Sequence, residues 1–496
     1  MASQGNGLAH RHPTRSTDEE HGISELKTAQ TPSDSAENHA KPEEFGLAEE
    51  IERGLEAADE GIHRFWNRLC GKGRKRVSWT TSFVNMVTFS WINVLLIFIP
   101  LAWVSHFMKS WAPALTFTFC FLAIIPLENI FDFGGEQMAF YLGKDLGDLL
   151  VVTLNNAVEA TLAILLLTKC ELKLLQSTII GVVVLHLLLV PGTAFLTGGA
   201  RIWEQQLHPH TSQLNLSLLA IGVMSLLLPS AFYAALDRGN SPGLESDHIR
   251  GMFLKMSRGM AIILLVVYIG SRIYLHNPPG DHNALLPHPN APEDILHQEQ
   301  ELEEGDPEVN PWACIAMLVV TIGIMAATAE WLVQSIEFVR HESNIQQEWF
   351  GLILIPLVSF SADGAVAIVF FARYSVKLFF GAPSPPATLA KARAIDLSIQ
   401  FVLWWMPFLV LLAWWIGKPL TLLFDFFEVA LVLGSCFLVN YITADGKTNW
   451  VEGLVMVSFY FMIALVSWFY TGQVEIDVML SCESVAAALA AGSTGA

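Results

Sequence analysis

The chain has 496 residues, 53% of them hydrophobic and only 15% charged, with a mean hydropathy of +0.45. Soluble domains carry about 25% charged residues, and the apolar excess here lies in blocks long enough to cross a bilayer, which rules out a soluble enzyme. The net charge of −19, from 28 basic and 47 acidic residues, argues against nucleic acid as a partner.

Residues 1–78 hold 14 acids and 11 bases and read as a polar, mostly disordered tail without a cleavable signal sequence; a short helix is expected over 43–69. The basic cluster Lys72, Arg74, Lys75 and Arg76, just before the first hydrophobic block, puts this end in the cytosol by the positive-inside rule. Candidate spans follow at 91–108, 112–131, 146–169, 172–196, 212–236, 257–276, 312–339, 348–372, 391–416, 420–440 and 450–470, eleven in all. An odd count places the termini on opposite sides. Arg373, Lys377, Lys391 and Arg393 then fall on the cytosolic side as the rule requires, while Arg238 and Arg250 fall on the wrong one.

Between spans six and seven lies an acidic linker, with nine acids and no base over 277–310. Setting span one aside, five spans precede it and five follow. An odd number per half inserts the halves in opposite directions, the inverted-repeat arrangement of secondary transporters. The expected fold is therefore an all-α integral membrane protein of about eleven helices, one N-terminal helix plus two inverted five-helix repeats. Its expected divisions are the tail 1–78, a first membrane half 79–276, the linker 277–311, a second half 312–470 and a C-terminal tail 471–496. Six scattered cysteines without CxxC spacing read as small buried apolar residues, not as a disulfide or zinc framework.

The residues that can carry chemistry are the polar ones inside apolar spans. Glu159 sits mid-span, where a charge needs a partner, a cavity or a proton. Asn156, three residues earlier, would share its helical face, and an amide oxygen beside a carboxylate suits a hard cation. Asp363, flanked by Ser359, Ser361 and Gly364, holds the corresponding place in the second half. A protonated Glu159 or a simple interhelical contact at Asp363 is the plainer alternative. Ser398 and Gln400, near Asp396 in span nine, would complete a cation shell or serve as interhelical glue. His186, among apolar neighbours, could titrate near neutral pH or bind a transition metal, or be a satisfied core histidine. Glu136 and Glu330 are candidate proton-relay or access residues; Glu128 could act likewise or be interfacial. In the linker, Glu299, Glu301, Glu303, Glu304 and Asp306 would gather cations at the cytosolic mouth, or merely keep the loop solvated.

Across 92–470 the chain resembles the calcium/proton exchanger (CAX) family of cation/proton antiporters. The stretches carrying the resemblance include NVLLIFIPLA (93–102), NNAVEA (155–160), AEWLVQSIE (329–337), FGLILIPLV (350–358), SIQ (398–400) and VNYITADGKTNWVEG (439–453). The family places its cation site at two Gly-Asn-Ala-x-Glu motifs. In the first, Asn156, Ala157 and Glu159 match and Asn155 replaces the Gly. In the second, Ser359-Phe360-Ser361-Ala362-Asp363-Gly364 stands where the family has Gly-Asn-Ala-Ala-Glu-His. A family Ser-Asn pair in span four falls at Leu185-His186.

The resemblance implies exchange of cytosolic cations, Ca2+ first, for luminal protons across an organelle membrane, the vacuole being the expected home. It implies no enzyme activity and no cofactor. The partners are then Ca2+ and protons as substrates and the lipid bilayer, with a homo-oligomer left open. Glu159 and Asp363 would be the metal ligands. The altered second motif leaves open a changed ion preference, monovalent cation or Mn2+, or a non-transporting scaffold or sensor.

Overall fold

In the computed structural model the described residues are 66–67, 69–71, 76–108, 111–142, 144–198, 205–206, 209–237, 246–276, 306–343, 345–358, 360–361, 364, 369 and 393–493. The chain divides into two compact units, Met1–Gly61 and Ile62–Ala496, and all described residues belong to the second. The helix expected over 43–69 lies largely outside them.

Long apolar runs give long helices because a chain in lipid must satisfy its backbone polar groups internally. Helices α1 (Trp79–Thr88) and α2 (Trp91–Phe107) meet at 95°. They are followed by α3 (Pro113–Leu142), α4 (Lys144–Asn155), α5 (Ala157–Lys169), α6 (Leu172–Thr197), α7 (Pro209–Asp237) and α8 (Asp247–His276). The second half comprises α9 (Pro311–Ser343), α10 (Gln347–Val358), α11 (Ala394–Trp415), α12 (Phe426–Thr443) and α13 (Trp450–Ser467). Two short helices, α14 (Val474–Leu480) and α15 (Val485–Ser493), end the chain. Eight of these helices are long and apolar enough to cross a membrane, or ten if the bent pairs α1–α2 and α4–α5 each count as one span. Helix α10 is the described part of the span expected at 348–372.

The boundaries differ from expectation in several places: α3 runs on to Leu142, past the expected end at 131, and α8 begins at Asp247, ahead of the expected 257. The first span begins at Trp79 and turns sharply before Trp91. The third is broken after Asn155, with a 52° bend. The tenth starts at Phe426, because Leu420–Phe424, though apolar and buried, forms an irregular approach ending in the N-cap Asp425. A small antiparallel pair, β1 (Gln205–Gln206) with β2 (Lys447–Thr448), was not expected.

Helix α6 is the hub. Of its most apolar window 78% is buried, against 28% for α8 and α13, which present faces such as Ile262, Val266 and Ile273 outward. In lipid such faces need no further partner. Exposed Trp312 and Trp450 open α9 and α13, while Trp414, Trp415 and Trp468 close α11 and follow α13. That is the placement of interfacial aromatic belts. The two halves interlock: α3 lies along α9, and α6 crosses α10. Gly181 and Gly351 make the second crossing close. A Cβ on Gly181 would meet the Leu352 carbonyl oxygen, and one on Gly351 would come 2.7 Å from the Ser177 Cβ.

One end of the bundle gathers the start of α1, the end of α3 and the residues entering α9. There the Tyr141 hydroxyl donates to the Val309 carbonyl (2.8 Å) and the Glu308 N–H to Gln137 Oε1 (2.8 Å). At the other end the C-terminal segment is strapped across the helix ends. Arg250 donates to the carbonyls of Ser481 (2.9 Å) and Glu483 (2.8 Å) and pairs with Asp247. Cys170, between α5 and α6, forms a disulfide with Cys482, 312 residues away, with a Cα–Cα separation of 6.4 Å. This corrects the reading of all six cysteines as buried apolar residues: two are paired, Cys70 is exposed, and only Cys120, Cys314 and Cys436 are free and buried.

Candidate cation-binding site

The break in span three builds the site. Thr153, Asn155 and Asn156 interrupt the apolar run, and Asn competes with the helix for backbone hydrogen bonds. Asn156 takes φ −95° and ψ 6°, outside the helix, and becomes the N-cap of α5. It therefore does not share a helical face with Glu159; it ends one helix and starts the next. Its carbonyl accepts from the Ala160 N–H (2.9 Å), which leaves Glu159 in the first turn of α5. A helix N-terminus inside the membrane carries partial positive charge.

The Asn156 side chain does not cap the helix. Its Nδ2 donates to Gln400 Oε1 (2.7 Å), and Gln400 Nε2 in turn donates to Thr153 Oγ1 (2.9 Å). This chain joins α4, the break and α11. It leaves Asn156 Oδ1 buried and without a hydrogen-bond partner among the described residues. Ser398, one turn before a π-helical stretch (Phe401–Trp405), donates to the Val183 carbonyl of α6 at 3.4 Å. Helix α6 has its own π stretch, Leu185–Leu189, and extra residues of this kind re-aim side chains at functional sites. It carries His186, whose Nε2 stands 3.8 Å from Glu159 Oε1.

Asn156, Glu159, His186, Ser398 and Gln400 thus come together, all buried. Asp396 accepts from Asn215 Nδ2 of α7 (2.5 Å). Glu330 is exposed and pairs with Lys169 (3.0 Å). Glu136 is exposed on α3. Glu128 is buried. With the amide of Asn155 turned to satisfy its neighbours, it donates to Asp132 (2.8 Å), so an acid of α3 touches the residue next to the break. Asp306 is exposed. Asp363 and the linker acids Glu299, Glu301, Glu303 and Glu304 lie outside the described residues. Phe360 lays its ring where a Cβ on Gly364 would stand.

Sequence reasoning missed Thr153 and a buried charged group around Lys173, with Glu348, Asp425 and Glu428. The available signals were a lysine near the start of the most apolar span and an acid in the first turn of α12.

A carboxylate, an amide oxygen, a hydroxyl and an imidazole at a broken-helix N-terminus, enclosed by two interlocked halves, form a candidate site of the kind that membrane transporters for cations use. The sequence profile described as "Sodium/calcium exchanger protein" matches residues 111–275 and 313–469, one match per half. A vacuolar calcium ion transporter of Cryptococcus neoformans var. grubii is 33% identical, the alignment covering 80% of this chain and 76% of that protein. A Ca2+/H+ antiporter of Synechocystis is 30% identical over 76% of this chain and 96% of its own length. The solved structure of native YfkE superposes with a TM-score of 0.58 at 20% identity, covering 77% of this chain and all of that one, and supports the fold. The chain belongs to the sodium/calcium exchanger family, in its calcium/proton exchanger branch.

Proposed function

We propose that the chain exchanges cytosolic Ca2+ for luminal protons across a vacuolar membrane. The observation that carries this is Glu159, buried at the N-terminus of α5 beside the uncommitted Asn156 oxygen. A cation and a proton compete for that carboxylate, so an acid lumen protonates it and releases the cation, while the higher cytosolic pH favours loading. Asp363, from the second half, supplies the second carboxylate, and Asp396 lies within the same helix as Gln400. The halves then rock about the α6–α10 crossing to alternate access. Glu128, Asp132 and Glu136, one turn apart on α3, make a cytosolic approach, and the linker acids of 277–311 gather cations at its mouth.

The N-terminus is cytosolic in this reading. The Cys170–Cys482 disulfide then lies on the luminal side, where disulfides persist, away from cytosolic reductants. Of the two arginines that depart from the charge rule in this reading, Arg250 is spent on the carbonyls of the C-terminal segment.

His186 favours a second reading of the cargo. An imidazole nitrogen 3.8 Å from the transport carboxylate suits Mn2+ or another transition metal better than Ca2+, which takes oxygen ligands. Purified protein in vesicles with an acid interior tests both. Ca2+ uptake that needs the gradient and is lost in Glu159→Gln and Asp363→Asn supports the exchanger. Uptake of Mn2+ in preference to Ca2+, reversed by His186→Asn, supports the second reading. No uptake of any ion by folded protein would leave a non-transporting member of the family.

A further inference from the structure

At the end of the bundle strapped by the C-terminal segment, four elements converge on one buried ammonium. Lys173 of α6, 6% exposed, places its Nζ 3.4 Å from Glu348 Oε1 of α10 and 3.4 Å from Asp425 Oδ2 at the N-cap of α12. Asp425 is fully committed: Oδ1 accepts from the Phe427 N–H (2.9 Å) and the Tyr470 hydroxyl (2.7 Å), and Oδ2 from the Gln473 N–H (2.9 Å) as well as from Lys173. Burial and the bond to Asp425 push the Tyr470 phenol up, so it remains a donor.

Glu428, one turn into α12 and fully buried, is different. Its Oε1 accepts from Ser177 Oγ of α6 at 2.5 Å, while Oε2 is buried with no hydrogen-bond partner among the described residues. The group holds three carboxyl groups against one ammonium. An ionised carboxylate with a bare oxygen in an apolar interior is strongly disfavoured; with the proton on Oε1 the bond reverses, Glu428 donating to Ser177 Oγ, and only a carbonyl oxygen, a weaker acceptor, is left unmatched at Oε2. A metal ion is the poorer occupant, because the Lys173 ammonium already stands between the carboxylates and would repel it.

Among the described residues the charges acting on Glu428 are those of Lys173, Asp425 and Glu348, and the other elements around α12 add none that would replace the proton. Ser230 of α7 is spent on the Phe424 carbonyl (2.9 Å). His186 lies nine residues further along α6 than Ser177, about 14 Å by the helical rise. A half-open cavity of about 240 Å³, lined among others by Lys173, Glu348, Gly472, Gln473 and Asp477, brings the outside solution to the edge of the group.

We propose that Glu428 binds a proton, in a site formed with Lys173, Asp425, Glu348 and Ser177, reached through this cavity and separate from the cation site at Glu159. Its occupancy follows the pH at this face of the membrane and does not depend on which cation is carried. Because Lys173 ties α6, α10, α12 and the C-terminal segment together, gain or loss of that proton changes the charge balance of the tie from −1 to −2 or back.

Infrared spectroscopy of the full-length protein in lipid vesicles at neutral pH tests this through the carbonyl band of a protonated carboxyl group. One such band should be lost in Glu428→Gln and kept in Glu159→Gln. Ser177→Ala should keep the band but shift its frequency, since the bond to Glu428 is gone; this variant also answers the question if Glu428→Gln fails to fold. An unchanged band in Glu428→Gln, or an unshifted one in Ser177→Ala, would overturn the proposal. So would disappearance of the Glu428 band on adding Ca2+ to the Glu159→Gln protein, which would make the group a cation site instead.

Discussion

Gln400 aims the Asn156 oxygen without itself carrying the charge of the site, and Gln400→Leu isolates that role. Leucine is close to glutamine in volume, so packing is largely kept. What is lost is the 2.7 Å bond from Asn156 Nδ2 and the 2.9 Å bond to Thr153. Asn156 Nδ2 is then left with approaches of 3.4 Å to the Val152 and Leu397 carbonyls. A buried donor deprived of its partner costs about 1–3 kcal/mol. If that cost falls on cation binding, affinity drops about 5- to 150-fold. Initial uptake rates against Ca2+ concentration, at fixed pH gradient, should show KM raised within that range and the maximal rate much less affected. A KM within about twofold of wild type, in protein of normal thermal stability, would refute the idea that Gln400 positions Asn156.

Four further outcomes are expected. Glu159→Gln should abolish exchange without lowering the unfolding temperature, because it removes a buried charge and keeps the shape; differential scanning fluorimetry alongside uptake checks this. Gly181→Ala should cost about 1–3 kcal/mol by overpacking, or more if the backbone must part, since its Cβ would meet Pro356 Cγ at 2.7 Å as well as the Leu352 carbonyl; the yield of monodisperse protein reads it. Cys482→Ser should lose about 2–4 kcal/mol of constraint on the C-terminal segment, seen as faster proteolysis within 471–493 and reproduced in wild type by a reductant. Arg250→Gln should loosen the same segment by removing the donors to Ser481 and Glu483, at about 1–3 kcal/mol, with the proteolytic pattern of Cys482→Ser.

The helical membrane scaffold was legible because apolar length is a direct consequence of bilayer thickness. The centre of the site was legible for a related reason: a polar residue deep in an apolar run is costly, so Asn156, Glu159, His186 and Gln400 stood out. The break after Asn155 was not, because a broken span is as apolar as a continuous one, and only the backbone angles distinguish them. Thr153 escaped because a threonine in a helix ordinarily satisfies itself on the preceding turn, as this one also does at the Leu149 carbonyl (2.7 Å). The disulfide joins residues 312 apart in sequence, and neither flank carries a spacing signal. Lys173 and Glu428 were masked by the hydropathy of their spans, and their meeting depends on the α6–α12 packing. The contacts of Arg250 with the C-terminal segment, more than 230 residues away in sequence, had no local signal.

The competition of Ca2+ and protons for Glu159 is tested most directly by equilibrium calorimetry of Ca2+ binding to the purified protein in buffers of different ionisation enthalpy. Wild type should release protons as it binds Ca2+, and Glu159→Gln should bind Ca2+ weakly and release none. Ca2+ binding without proton release, or release that survives Glu159→Gln unchanged, would contradict a shared carboxylate as the basis of exchange.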